Sequence, residues 1–209
     1  MSRIHVLASY TANRIAAGEV VERPASGVKE LLENAIDAGA TAVTIETKGG
    51  GLESIRVSDN GIGINADDVA TAFLPHATSK IATTDDLFSI NTLGFRGEAL
   101  PSIAAVSKVT MRTKQKDAAN GVLLLFVTSL VFTVLRINGG DIIENHEAGV
   151  PDGTTIECED LFYNVPARLK FIKSARAESA HISDYVSRMI MARPDIKIKL
   201  IQSGRTVFH

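Results

Sequence analysis

Residues 24–40 read PASGVKELLENAIDAGA, and the spacing of their apolar side chains decides how the rest of the chain is read. Val28, Leu31, Leu32, Ala35 and Ile36 fall at i, i+3, i+4, i+7 and i+8, the stripe by which a half-buried helix docks on a core. Pro24 and Ser26 open this helix, because a proline in the first turn lacks only an N–H that has no partner there. Gly39, just past the last periodic residue, ends it. Glu30 and Asn34 are four residues apart, with Asp37 three further on, so all three project from the face opposite the stripe. A solvated surface accounts for such a face. A site accounts for it too, since a carboxylate and a carboxamide one turn apart can orient a water and offer an oxygen to magnesium, which takes one or two protein oxygens alongside substrate phosphates.

Beyond Gly39, Ala42 to Glu46 and Ser54 to Ser58 flank Gly49-Gly50-Gly51 in the manner of a hairpin that delivers the chain to Asp59. A short helix is expected over Asp67 to Leu74. A long functional loop is expected over Thr78 to Gly97, which is rich in Thr, Ser, Asp and Gly. Glu98 to Val106 reads as a helix, Val109–Arg112 and Thr154–Glu157 as strands, Ala177–Ala192 as a helix and Ile196–Ile201 as a strand. These elements interleave without a strict βαβ rhythm, which implies an α+β sandwich with helices on one face of a mixed sheet. Residues 122–137, VLLLFVTSLVFTVLRI, carry only Arg136 as a charge. They are too few for a membrane span, which needs about 20 apolar residues, and their Val, Phe and Thr content reads as buried strands.

The 209 residues are 45% hydrophobic and 22% charged, a globular balance. A chain this long buries roughly 70% of its unfolded surface, so its core needs neither metal nor disulfide. Lys plus Arg total 22 and Asp plus Glu 24, and the resulting −2 argues for neither a nucleic-acid nor a membrane partner. The sum hides an asymmetry: residues 1–165 hold 13 basic and 21 acidic side chains (−8), residues 166–209 hold 9 and 3 (+6). Cys158 is the only cysteine, which excludes an internal disulfide and reads as a buried structural thiol. The start, MSRIHVLASYTANRIAAGEV, has no charged region leading into an apolar one, so a cytoplasmic location is expected.

Four further motifs carry chemistry. In DNGIGI (59–64) a plain turn explains the residue types, yet Gly61 and Gly63 also let a flat ligand approach the backbone, and Asp59 can accept from the exocyclic amine of a base. Gly61, Gly63 and Ala66 match G-x-G-x-x-A, but no strand follows to complete the βαβ unit that a dinucleotide fold requires. HATSK (76–80) offers hydroxyls and a cation. GFRGEAL (94–100) places a glycine-bracketed turn directly before a helix, whose free N–H groups suit a phosphate. Gly153-Thr154 alone is nearly uninformative.

In order, ELLENAIDAGA (30–40), DNGIGI (59–64), HATSK (76–80), GFRGEAL (94–100) and GTT (153–155) closely resemble the ATP-binding motifs of the GHKL superfamily, which includes gyrase, the large heat-shock chaperone, histidine kinases and MutL. NRIAAGEVVERPA (13–25), the GFRGEAL lid and LFYNVPARLKF (161–171) are similar to the MutL branch, bacterial DNA mismatch repair proteins. The resemblance implies a two-layer sandwich with a mostly antiparallel sheet, the Bergerat-type fold. It implies one ATPase domain over 1–209, with 1–24 an N-terminal arm, and a second, lysine-supplying domain and a C-terminal dimerisation domain outside these residues. The activity implied is slow, magnesium-dependent hydrolysis of ATP to ADP and phosphate, in an ATP-gated clamp or matchmaker.

By the same resemblance Glu30 is the general base, Asn34 the magnesium ligand, and Asp37 part of the ATP site. Asp59 receives the adenine amino group beside Thr154, with Gly61 and Gly63 adjoining. Thr78, Ser79, Lys80, Gly94, Phe95, Arg96, Gly97, Glu98, Ala99 and Leu100 form a lid over the triphosphate. ATP and Mg2+ are the implied cofactors. The implied partners are DNA, a mismatch-recognition protein of the MutS type, a repair nuclease or helicase, and a second copy of the chain on ATP binding. Arg168, Lys170, Lys173 and Arg176 in the basic end are candidate non-specific DNA contacts. A non-hydrolysing nucleotide-binding module is the alternative. A histidine-kinase-like domain is disfavoured, because the lid and LFYNVPAR have no place in it. Residues 122–137 look like an insertion relative to the family pattern.

Overall fold

A computed structural model describes residues 5, 15, 17–81, 83–88, 92–116, 133–138, 141–147 and 151–209, with only the backbone described at 87, 133–138 and 141–147. Helix α1 (Pro24–Asp37) buries Val28, Leu31, Leu32, Ala35 and Ile36 as its periodicity requires. Its end is fixed by Gly39 at φ +71°, a conformation that costs glycine no Cβ clash. The chain then forms β1 (Ala42–Lys48) and β2 (Ser54–Asp59), a true antiparallel hairpin pairing Val43 with Asp59 and Lys48 with Ser54.

The remaining elements are α2 (Ala66–Val69), α3 (Ala99–Val106), β3 (Lys108–Lys114), β4 (Thr133–Asn138), β5 (Asp141–Glu147), β6 (Gly153–Glu159), α4 (Pro166–Leu169), α5 (Ala175–Ala192), β7 (Lys197–Gln202) and β8 (Arg205–Phe208). Among the described residues the strands form one sheet in the order β5-β4-β3-β6-β2-β1-β7-β8. Every pairing is antiparallel except β1 with β7. The expected α+β architecture is therefore the observed one.

Alternation sorts the sheet's faces. Val43 and Ile45 of β1, Ile55 and Val57 of β2, Val109 and Met111 of β3, Ile156 and Cys158 of β6, and Ile198 and Leu200 of β7 are buried in one core with the apolar stripe of α1, Ile103 of α3, and Ile182 and Val186 of α5. The alternate positions carry charge: Arg56 lies 3.6 Å from Glu46, and Arg112 3.8 Å from Glu157. Cys158 is buried, and that burial pushes its thiol up to about 12, so it is an inert packing residue as expected.

Three local expectations change. The helix expected over 67–74 breaks into α2, capped by Asn65 on the N–H of Asp67, and a 3-10 turn over Thr71–Phe73. Leu74 is extended, at ψ 141°, because Pro75 follows and clashes with a helical predecessor. Of the apolar run 122–137, residues 133–137 lie in β4 between β3 and β5, while 122–132 lie outside the described residues. The sequence reading holds neither strand β5 nor strand β8; β8 returns antiparallel to β7 through Ser203 (φ +48°) and Gly204 (φ +80°), two left-handed residues that match the twist of a hairpin. Among the described residues no helix is long and apolar enough to cross a membrane.

Candidate active site

The sheet order creates one end of the site. β3, β6 and β2 are neighbours, and their register sets Thr154 opposite both Asp59 and Thr113. The Asp59 carboxylate accepts from the Gly61 N–H at 2.8 Å and from the backbone N–H of Thr154. Burial nevertheless dominates and holds the Asp59 carboxyl above the usual carboxylate range, with those two hydrogen bonds and the charge of Lys116 opposing it. Thr113 Oγ1 and Thr154 Oγ1 are 3.0 Å apart, and Thr113 Oγ1 also accepts from the Ile64 N–H at 2.9 Å.

The glycines here answer to backbone packing before any ligand. A Cβ on Gly63 (φ +75°) would fall 2.1 Å from the Lys114 carbonyl oxygen, and one on Gly153 (φ +103°) 2.1 Å from that of Asp59. Both contacts are impossible for any other residue, which fixes DNGIGI against the ends of β3 and β6.

At the opposite end stands the polar face of α1. Lys80 Nζ donates to Asn34 Oδ1 at 3.0 Å and to Asp37 Oδ2 at 2.6 Å. Asp37 also accepts the backbone N–H groups of Leu93 (3.0 Å) and Gly94 (3.1 Å). One largely buried carboxylate thus ties the loop's lysine and its glycine turn to the helix. The two ends of the loop meet again where His76 Nδ1 lies 2.6 Å from Glu98 Oε1. Gly97 sits against the Ala77 backbone, where a Cβ would fall 2.4 Å from the carbonyl oxygen. Lys80 resting on Asn34 Oδ1 shows that this carboxamide oxygen accepts from a cation, and oxygen donors suit a hard divalent ion. No cluster of three acidic, histidine or cysteine residues that could hold a metal is present among the described residues, so a metal held by Asn34 would need further oxygens from a phosphate ligand.

Between the two ends lies a cavity of about 780 Å³. Its wall includes Glu30, Asn34, Asp37, Asp59, Gly63, Thr78, Ser79, Lys80, Gly94, Phe95, Gly97, Ala99, Leu100 and Thr154 of the residues singled out from sequence. Gly61, Arg96 and Glu98 stand behind it: Gly61 holds Asp59, Arg96 lies 5.7 Å from the Phe95 ring, and Glu98 faces His76. The wall also holds Thr92, Gln115 and Ile156, which no motif announced, because strand register and loop path bring them there.

The basic end divides. Arg168 Nη1 donates to the carbonyl oxygens of Gly18 (3.0 Å) and Val21 (3.1 Å), and its guanidinium lies 5.9 Å from the Phe162 ring. It pins the segment leading into α1 rather than facing solvent. Lys170, Lys173 and Arg176 are exposed.

The sequence profile of the histidine kinase-, DNA gyrase B- and HSP90-like ATPase family matches residues 22–129. The DNA mismatch repair protein MutL of Clostridium tetani is 53% identical over 209 residues, which is 100% of this chain and 32% of that protein. The MutL of Geobacter sulfurreducens is 47% identical over 207 residues, 99% of this chain and 32% of that protein. The chain spans about a third of the length of these curated relatives. The ADP-complexed ATPase domain of Aquifex aeolicus MutL superposes with a TM-score of 0.68 at 28% identity, covering 90% of this chain and 63% of that one. The N-terminal domain of a DNA repair protein gives a TM-score of 0.72 at 28% identity, covering 94% and 54%.

Proposed function

The chain belongs to the histidine kinase-, DNA gyrase B- and HSP90-like ATPase family, and from that membership we propose that it binds ATP in the 780 Å³ cavity and hydrolyses it to ADP and phosphate for DNA mismatch repair. The observation that carries the reading is the shared wall: Asp59 and Thr154 at one end, and Glu30, Asn34 and Lys80 at the other with Gly94 beside them. Asp59 accepts the exocyclic amine of adenine. Lys80, Thr78, Ser79 and the backbone from Gly94 to Leu100 neutralise and cover the phosphates, with the N-terminus of α3 adding its dipole. Glu30 takes the proton of the water whose oxygen attacks the terminal phosphorus while ADP leaves, and catalysis is otherwise positioning and charge neutralisation. A magnesium ion held by Asn34 and the phosphates supplies charge neutralisation when bound.

The test is phosphate release by the 209-residue chain with ATP, with and without magnesium, alongside calorimetric binding of ADP. Magnesium-dependent release, even slow, is expected. Tight ADP binding with no release at any magnesium concentration would convert the reading to a non-hydrolysing nucleotide module.

The mismatch repair role, the second domain and the partner proteins rest on the longer relatives, and DNA contact is part of that proposal. Lys170, Lys173 and Arg176 are assigned to phosphate contact, and Arg168, already bonded to Gly18 and Val21, is not. Three such contacts weaken duplex binding about 40-fold between about 50 and about 200 mM salt. Replacing all three by Ala should remove both the binding and its salt dependence. Salt-independent binding, or binding unchanged in the triple variant, would end the assignment.

A further inference from the structure

We infer that Lys29, Glu33 and Tyr185 form a positioning relay that fixes the carboxylate of Glu30 at the edge of the cavity. The inference deepens the proposed hydrolysis and rests on Glu30 as its base. Lys29 Nζ donates to Glu30 Oε1 at 2.8 Å and to Glu33 Oε2 at 3.0 Å. The Tyr185 hydroxyl, reaching from α5 where it packs on α1, donates to Glu33 Oε1 at 2.9 Å. Burial, reinforced by the Glu33 charge, pushes that phenol well above its ordinary value, so it stays a donor throughout the working range.

Glu33 is otherwise hard to account for. It is 8% exposed, and a carboxylate is not buried without partners for its oxygens. Each oxygen has one, the phenol on Oε1 and the ammonium on Oε2. Glu33 thereby gives Lys29 a second anchor, and Lys29 bridges Glu33 and Glu30. The grip takes only Oε1; among the described residues Glu30 Oε2 has no protein partner, which suits an oxygen reserved for water. Neither Lys29 nor Tyr185 belongs to the cavity wall, so the relay acts on the base and not on the nucleotide.

The experiment measures kcat, KM for ATP and calorimetric ADP affinity for the 209-residue chain and for Lys29→Met, Lys29→Arg and Tyr185→Phe. Misplacing a base by a fraction of an ångström lowers kcat by about tenfold, so Lys29→Met should show that loss with ADP affinity unchanged. Tyr185→Phe, which keeps the ring, should show a smaller loss in the same direction, and Lys29→Arg should recover most of the rate. Unchanged kcat in Lys29→Met overturns the relay alone. A loss of ADP affinity matching the loss of kcat overturns it in favour of a packing role. A parent chain that binds ADP but never releases phosphate overturns the relay together with the proposed hydrolysis.

Discussion

Glu30→Ala is expected to retain nucleotide affinity and lose hydrolysis by roughly 10²–10⁴-fold, the usual contribution of a positioned general base. Glu30 lines the cavity on α1 and is only partly buried, so its truncation opens space toward solvent and leaves the apolar stripe of the helix untouched. Among the described residues its one hydrogen-bond partner is Lys29, which is itself part-exposed and keeps Glu33. The fold and the Asp59 end of the site are therefore undisturbed, and kcat should fall without a change in ADP binding. Phosphate release at constant nucleotide occupancy is the measurement. A Glu30→Ala chain that turns over within a few-fold of the parent would show that another group activates the water.

Asp59→Asn is expected to weaken nucleotide binding about a hundredfold while leaving the empty protein at least as stable at neutral pH. The carboxylate accepts from two backbone donors, Gly61 N–H and Thr154 N–H, and the proposed adenine amine would be a third. A carboxamide has one acceptor atom and turns an NH₂ toward whichever donors the oxygen does not face, so a buried donor is left unpaired at about 1–3 kcal/mol. Affinity for ADP should fall by about a hundredfold, within that range.

The stability sign follows from burial holding the Asp59 carboxyl above its ordinary value. The folded chain keeps this proton where the unfolded chain has already lost it. The group's contribution to stability is thus present below the unfolded value and lost as pH rises through the raised folded one. At pH 7 the buried carboxylate is a cost, which Asn removes. Calorimetric titration with ADP and thermal melting of the nucleotide-free chain separate the two effects. Retained affinity in Asp59→Asn, or a large fall in the empty chain's melting temperature, would contradict the assignment.

The local parts of the fold were legible because their signals lie within one element. The i, i+3, i+4 stripe, Pro24 and Gly39 set both ends of α1 to within a residue, and the triple glycine placed the first hairpin. Glu30, Asn34 and Asp37 share a helix face by spacing alone, and they do meet one cavity. What failed was governed by neighbours. The 67–74 helix breaks where Pro75 forces Leu74 out of the helical region. Arg168 counted as one more exposed cation until Gly18, which has no side chain to exclude it, let its guanidinium reach the carbonyls of Gly18 and Val21.

The sequence by itself determined the class of this protein, the helix α1 with its acidic face, the first hairpin and the glycine-bracketed turn that leads into α3. These follow from periodicity and backbone freedom, which each segment holds alone. Tertiary structure decided which residues finish the site. Thr113 reaches Thr154 through strand register, Lys80 and the N–H groups of Leu93 and Gly94 converge on Asp37 from more than forty positions away, and Tyr185 steadies Glu33 across two packed helices. No spacing rule encodes such contacts, because they depend on how separate elements dock.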